Sequence, residues 1–270
     1  MEALSKKDLT SALDFAARLA ERVGRTIARK SGNRIHVTYK SEIDLVTQFD
    51  EQAQRMIVDH LSREYPDHGM LCEENVNTGA DRPARWIVDP LDGTTNFAHG
   101  LPIWAISIAL EMNGEVVLGV VHDPSRGETF SAAKGRGARL NGRRIHVSST
   151  RELERSLLVT GFPYDIRHSR NNNLFQFGLF AVRARAVRRL GSAALDLCYT
   201  ACGRFDGYWE LKLSPWDQAA GSLILREAGG RITDFAGRKF SIYGDQVLAT
   251  NGLIHRQMMR VLQSSRHDTG

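Results

Sequence analysis

Residues 86–100 read Trp-Ile-Val-Asp-Pro-Leu-Asp-Gly-Thr-Thr-Asn-Phe-Ala-His-Gly, and few folds suit a chain that contains them. The apolar run Trp86-Ile87-Val88 is a short buried strand by pattern, and carboxylates begin where it stops. Pro90 fixes φ and lacks a backbone donor, while Gly93 permits positive φ, so a sharp turn is expected here. That turn holds Asp89 and Asp92 on one short loop with the Leu91 carbonyl between them. Two carboxylates and a carbonyl at the mouth of a strand make a hard-oxygen site suited to Mg²⁺. Asp-Pro and Asp-Gly are also ordinary turn dipeptides, and either alone would imply nothing more than a turn.

A second carboxylate motif decides against the plain turn. It runs Ser214-Pro215-Trp216-Asp217-Gln218-Ala219-Ala220-Gly221 and continues to Glu227-Ala228-Gly229-Gly230. Ser214 suits an N-cap, Pro215 the first helical position, and Gly229-Gly230 the stop. Asp217 then sits in a first helical turn, where an acid by itself does no more than complement the helix dipole. Ala219, Ala220 and Gly221 are small enough for the helix to approach another element closely.

Together the two motifs resemble the D-P-[IL]-D-G-T-[TK]-N-F and W-D-x-A-[AG]-G…E-A-G-G signatures of the inositol monophosphatase family of Mg²⁺-dependent, lithium-sensitive phosphatases. Four further segments match in order. These are Asp44-Leu45-Val46-Thr47-Gln48-Phe49-Asp50, the pair Glu73-Glu74, the hairpin 134–142 (Lys-Gly-Arg-Gly-Ala-Arg-Leu-Asn-Gly), and Gly191-Ser192-Ala193-Ala194. The resemblance implies metal ligands at Glu73, Asp89, the Leu91 carbonyl, Asp92 and Asp217, holding two to three Mg²⁺ ions. Asp89 would bridge two of them, and a third, more hydrated ion would lean on Glu73. It implies that Glu73 and Thr94 position the attacking water, with Asp50 supporting Thr94 from behind. Gly93 and Thr94 amides are expected at the phosphate, and Gly191, Ser192, Ala193 and Glu210 at the inositol ring. Lys40 is a candidate for the lysine near the third metal. The chain departs from the family at Cys72, where a small residue is usual, and at Ser214, where animal members carry His.

The expected chemistry needs such a constellation. Phosphate-monoester hydrolysis is among the slowest uncatalysed reactions, with accelerations of up to ~10²¹-fold. Two metals roughly 3.5–4 Å apart can clamp the attacking and leaving oxygens of an in-line displacement. The one C-x₅-R spacing, Cys198 to Arg204, begins inside an expected helix and not on a phosphate-binding loop, and there is no D-x-D-x-[TV] start, so neither a cysteine nor an aspartyl-phosphate nucleophile is expected. The expected substrate is a small phosphorylated polyol, inositol 1-phosphate first, with Thr95 favouring this branch over nucleotide phosphatases that often carry Lys there. A broader sugar phosphatase acting on fructose 1,6-bisphosphate is the same-class alternative. The other-class alternative is a protein that binds RNA polymerase or the ribosomal RNA-processing machinery. A homodimer is the family expectation.

Composition bears on location and partners. Apolar residues make up 42% and charged residues 25% of 270, ordinary for a globular protein. No apolar stretch is long enough to cross a bilayer, and the amino terminus lacks a signal-peptide apolar core. Three cysteines, Cys72, Cys198 and Cys202, cannot all pair, which points to a reducing cytoplasm. Cys198 and Cys202, four apart on an expected helix, read as packed thiols rather than zinc ligands. The net charge of +5 arises in the second part of the chain, since residues 1–100 are slightly acidic. Basic clusters fall at Lys134, Arg136, Arg139, Arg143 and Arg144, and at Arg183, Arg185, Arg188 and Arg189. They read as solvated strand edges, because aromatic residues for stacking bases are not interleaved.

Periodicity outlines a layered α/β chain. Leu9, Ala12, Ala16, Leu19, Val23 and Ile27 predict a first amphipathic helix, and a second spans 50–63. Strands are expected at 70–72, 86–88, 104–111, 115–122 and 128–133, with Asn113-Gly114 as a hairpin turn. Later strands fall at 157–160, 186–188, 205–210, 231–234 and 246–249, with helices near 169–182, 192–202, 215–228 and 253–263. No linker or repeat divides residues 1–270, which read as one domain. The family resemblance implies the sugar-phosphatase sandwich, α-β-α-β-α, with the metals where both halves meet.

Overall fold

The structure, a computed structural model, describes residues 6–30, 37–39 and 45–264, and it stacks helices and sheets in five alternating layers. The first layer is α1 (Lys6–Lys30) against α2 (Gln48–Glu64). Ala12, Ala16, Leu19, Val23 and Ile27 are all buried, as their spacing predicts, and Leu9 packs at the edge of the same cluster. Thr47 caps α2 in a box closed by Asp50. Between these helices lies a two-stranded ribbon, β1 (Val37–Tyr39) with β2 (Leu45–Thr47). Lys40 and Asp44 fall outside the described residues.

The second layer is an eight-stranded sheet. Its strands are β3 (Gly69–Cys72), β4 (Val76–Thr78), β5 (Ala84–Asp92), β6 (Ala105–Met112), β7 (Glu115–Asp123), β8 (Glu128–Ala133), β9 (Ala138–Leu140) and β10 (Arg143–Arg144). They run in the order β10-β9-β8-β7-β6-β5-β3-β4, antiparallel except for β3 with β5. Asn113 and Gly114 both take positive φ, 51° and 77°, and close the β6–β7 hairpin as expected. Along β7 the even positions Leu118, Val120 and His122 face α1, while Gly119 and Val121 face the opposite layer. That third layer is α5 (Ala193–Ala201) and α6 (Pro215–Glu227).

A five-stranded sheet follows, ordered β12-β11-β13-β15-β14. These are β11 (Leu157–Thr160), β12 (Ala186–Arg188), β13 (Gly207–Leu211), β14 (Arg231–Thr233) and β15 (Gln246–Thr250). The outermost helices, α4 (Leu174–Ala181) and α7 (His255–Ser264), cover it with Phe180, Met258 and Leu262 against Trp209 and Leu248. Among the described residues no helix is long and apolar enough to cross a membrane. The basic clusters include one edge strand of each large sheet, β10 and β12, where charge hinders edge-to-edge pairing.

Strands β1, β2 and β4 were not expected from sequence, and three further differences bear on the site. The strand begun at Trp86 does not end at Val88 but runs on through Asp89-Pro90-Leu91-Asp92, and the turn comes at Gly93. A short helix, α3 (Thr94–Ala98), follows it, in a segment read only as loop. The helix expected from residue 169 starts at Leu174, because Asn173 stands at φ 72° and is used elsewhere. Its buried amide donates to Thr160 Oγ1 at 2.8 Å, and its side-chain oxygen accepts the Trp209 indole at 2.7 Å.

Helix α6 lies almost on the sheet. A Cβ at Gly119 would stand 2.7 Å from the Ala220 carbonyl oxygen and 2.9 Å from its Cα. Small residues on both sides of this contact fix the depth at which α6 sits. Gly119→Val should therefore cost about 1–3 kcal/mol of unfolding free energy, read as a lower urea midpoint at unchanged slope. An unchanged midpoint would show that α6 can lift off the sheet freely.

Candidate active site

At the end of β5 the pairing with β6 slips. Asp89 is opposite Ser107 and Asp92 opposite Ala105, so three steps on β5 match two on β6. In a regular strand, residues three apart point to opposite faces. The extra residue of the bulge brings Asp89 and Asp92 to the same side, and Pro90, which could not donate to a ladder, sits inside it. Asp89 Oδ1 accepts the Leu91 amide at 3.0 Å, which locks the bulge. Gly93 then turns the chain at φ 98°, and a Cβ there would meet the Ile103 carbonyl at 2.9 Å. Parallel pairing of Cys72 with Val88 carries Glu73 to the same end of the sheet.

Other elements close on this end. The Thr94 hydroxyl lies 2.9 Å from Asp50 Oδ1 and 3.0 Å from the Leu91 carbonyl. Asp50 also accepts from Thr47 while it caps α2, so one carboxylate ties a helix start to the bulge. Asp92 Oδ2 accepts from the Ser192 hydroxyl at 2.6 Å and from the Ala194 amide at 2.8 Å, and so anchors the N-terminus of α5. Asp217 Oδ2 accepts the Ser214 amide at 2.7 Å within the capping box of α6. Glu210, buried on β13, accepts the Tyr208 hydroxyl at 2.6 Å.

One pocket of about 310 Å³ gathers Glu73, Asp89, Leu91, Asp92, Gly93, Thr94, Gly191, Ser192, Ala193, Glu210 and Asp217. Among the described residues, every metal, water-positioning and polyol-contact candidate lines it except Asp50, which lies one hydrogen bond behind Thr94. The lining also includes Gly161, Asp196 and Lys212, which sequence did not single out, and Arg189, which it read only as part of a basic cluster. Gly161 is required because Glu210's carboxylate occupies the space a Cβ would take. Asp196 is fully buried, and its Oδ1 has no hydrogen-bond partner. In sequence it reads as a plain first-turn acid of α5; nothing local marks it.

The electrostatics are those of crowded, dry acids. Burial, then the charges of Glu73, Asp92 and Asp217, push the Asp89 carboxyl well above the usual carboxylate range. Burial, then Asp92 and Glu73, does the same at Asp217. Burial raises Asp92 to about 6 and Glu210 to about 7. Among the described residues the cations lining the pocket are Arg189 and Lys212, and Lys212 is engaged by Asp165 and Ser169. Acids so placed fit a divalent cation of hard character, and the Leu91 carbonyl adds an oxygen of the same kind. As they stand, no three His, Cys, Asp or Glu side chains among the described residues form a ready metal cage. One oxygen of each aspartate is instead held by a protein donor.

A five-layered α/β fold with an acid pocket where its halves meet is the architecture of a sugar-phosphatase-type hydrolase. The chain belongs to the inositol monophosphatase family, whose pattern matches residues 8–268. An inositol-1-monophosphatase of Synechocystis is 43% identical over 97% of this chain and 92% of its own length. The Escherichia coli protein called Nus factor SuhB is 38% identical, over 95% of this chain and 97% of its own. The solved inositol monophosphatase of Anabaena (Nostoc) superposes with a TM-score of 0.88 at 41% identity, covering 95% of this chain and 96% of that one.

The raised carboxyls set a pH signature for the metal-free protein. Glu210 releases its proton near 4.5 when unfolded but near 7 in the fold. Between those values the unfolded chain binds fewer protons, so stability must fall as pH rises. With chelator present, the unfolding free energy should decline from about pH 5 to 7, and Glu210→Gln should shallow that decline. A rise in stability across this window, measured by urea titration, would contradict the burial of these acids.

Proposed function

We propose that the protein hydrolyses the phosphate monoester of a small polyol, myo-inositol 1-phosphate first, with Mg²⁺ held by Glu73, Asp89, the Leu91 carbonyl, Asp92 and Asp217. The observation that carries this reading is the Asp92 carboxylate. It belongs to the acid cluster, yet it fixes Ser192 and Ala194, so cluster and polyol-facing segment share one pocket. Bound Mg²⁺ would supply Lewis-acid stabilisation of the phosphoryl oxygens and of charge on the leaving oxygen.

The side chains handle water and alignment. The Thr94 hydroxyl has one proton and faces two acceptors, Asp50 and the Leu91 carbonyl, which leaves an oxygen lone pair for a water. That water attacks phosphorus in line, and Glu73 takes its proton as the new P–O bond forms. The P–O bond to the polyol breaks, and the departing oxygen takes up, through solvent, the proton that Glu73 releases, giving the alcohol and hydrogen phosphate. The first amides of α3, at Gly93 and Thr94, have no helical acceptor and suit phosphate oxygens. Glu210 accepts a ring hydroxyl from the floor, and Gly191, Ser192 and Ala193 form the facing wall.

Asp89→Asn and Asp217→Asn should each abolish nearly all turnover at saturating Mg²⁺ while circular dichroism stays unchanged. Full activity of Asp217→Asn would remove it from the metal set. A charged acceptor to a hydroxyl contributes roughly 1.5–3 kcal/mol, or about 10–150-fold in rate. Glu210→Gln should therefore lower kcat/KM for inositol 1-phosphate by that factor and leave p-nitrophenyl phosphate, which has no ring hydroxyls, unchanged. Equal losses on both substrates would make Glu210 a structural support instead. Fructose 1,6-bisphosphate belongs in the same Mg²⁺-dependent panel, with lithium inhibition of the preferred substrate as the family expects.

Two assembly readings accompany this one. Leu174, Phe175 and Val182 are exposed on and just beyond α4, a surface suited to a second copy in a homodimer. A relative called a Nus factor favours a contact with the transcription machinery, to be sought by salt-dependent pull-down with Asp89→Asn.

A further inference from the structure

A second cavity, of about 540 Å³, opens on the opposite face of the eight-stranded sheet, between the end of α1 and the β7–β8 hairpin. Its size is within the range of small-molecule sites. It lies at the same end of the sheet as the acid cluster but two strands away. Asp92 pairs with Ala105, and the next β6 residue, Ile106, pairs with His122 of this cavity. No residue of the first pocket lines it.

The hydrogen bonds at its wall settle one proton. The Thr129 hydroxyl donates to Glu21 Oε1 at 2.9 Å, and a hydroxyl has a single hydrogen. The 3.0 Å contact between Thr129 Oγ1 and His122 Nδ1 therefore has the imidazole as donor. Burial lowers the pKa of His122 and keeps the ring neutral, so Nε2 is left as a bare acceptor. Asn141 is held in place as well, its side-chain oxygen accepting the Thr129 amide at 2.7 Å.

On the other wall stand Arg25 and Arg29, four apart on α1 and both exposed. Neither guanidinium has a hydrogen-bond or ion-pair partner among the described residues. Arg29, in the last turn, complements the helix dipole. Arg25 lies farther back, and no such role accounts for it. Glu21, the acid on the same helix face, accepts from Thr129 through Oε1 and keeps its second oxygen as an acceptor for a ligand donor. The cavity thus offers two unused fork donors for an oxyanion and, beside them, acceptors for a hydroxyl.

We propose that this cavity is a second ligand site, selective for a small oxyanion that also carries a hydrogen-bond donor: a phosphorylated polyol, a hydroxy acid, or hydrogen phosphate itself. The oxyanion takes Arg25 and Arg29, whose planar forks suit phosphate and carboxylate alike. The donor hydroxyl goes to His122 Nε2. Neither Mg²⁺ nor turnover enters this assignment.

The test is calorimetric titration of the full chain in chelator, which withholds metal from the first pocket, with the arginine double variant assigning any remaining signal to the second. The probes are inorganic phosphate, glycerol 2-phosphate, malate and sulfate. Phosphate should bind one site per chain, and Arg25→Ala/Arg29→Ala should weaken it at least about tenfold. Both arginines are exposed and unbonded, so the double variant should still unfold in one cooperative transition, lowered only by what Arg29 contributes to the helix dipole, which separates a lost site from a lost fold. Sulfate, an oxyanion without a donor near neutral pH, should bind more weakly than phosphate. Glycerol 2-phosphate against malate tells whether phosphate or carboxylate is preferred. Absence of binding at about 10 mM phosphate, or equal affinity in the double variant, overturns the site; equal sulfate and phosphate affinities overturn the role of His122.

Discussion

Asp89 and Asp217 are fully buried, the charges of Asp92 and Glu73 push both carboxyls up further, and among the described residues no lysine or arginine counters this at either. Such a cluster opposes folding, because desolvated like charges repel and resist ionisation. Much of the surrounding architecture holds these groups in place. Strand β5 is buried on both faces up to Asp92. The bulge is locked by Asp89 itself, and α5 and α6 both present their N-terminal amides to cluster members. The cluster is thus offset by backbone donors and helix termini more than by ion pairs, which leaves it open to a cation. A site that costs stability is expected where a fold has been bent to function.

The same groups join the two halves of the molecule. Asp92, from the large sheet, receives the start of α5, which leads into the smaller sheet. The Asn96 amide donates to the carbonyls of Ile103 and Leu190, pinning α3 to the segment before Gly191. Ser107 Oγ donates to the Trp216 carbonyl at the head of α6. Glu73, Asp89, Leu91 and Asp92 come from one half, while Asp217 and the proposed polyol contacts come from the other, so neither half alone contains the pocket.

Hairpin 134–142 bears on this arrangement from a distance. Glu227, at the end of α6, accepts the amides of Gly135 and Gly137 at 2.8 and 2.7 Å. Those amides point inward because both glycines hold positive φ. The helix is therefore fixed at its start by Asp217, along its middle by Gly119 against Ala220, and at its end by this hairpin. Two motifs far apart in sequence, the glycine-rich hairpin and Glu227-Ala228-Gly229-Gly230, are two sides of one contact.

Much of this was legible from the chain alone. Apolar spacing placed α1, β7, β8, β11 and β12 within a few residues, since their faces are buried by one period throughout. The acids of both signatures and Gly93 were identifiable because turn chemistry and charge spacing are local. The sequence could not show that β5 continues through a proline to Asp92, because the bulge depends on pairing with β6. Nor could it show that Asn173 breaks a helix to bind Trp209, or that Asp196 faces Glu210, since both follow from contacts with distant strands. Sequence determined which groups the protein has and roughly which elements carry them. Only the tertiary structure decided which of them share a face, because burial and strand register are properties of the packed chain rather than of any segment.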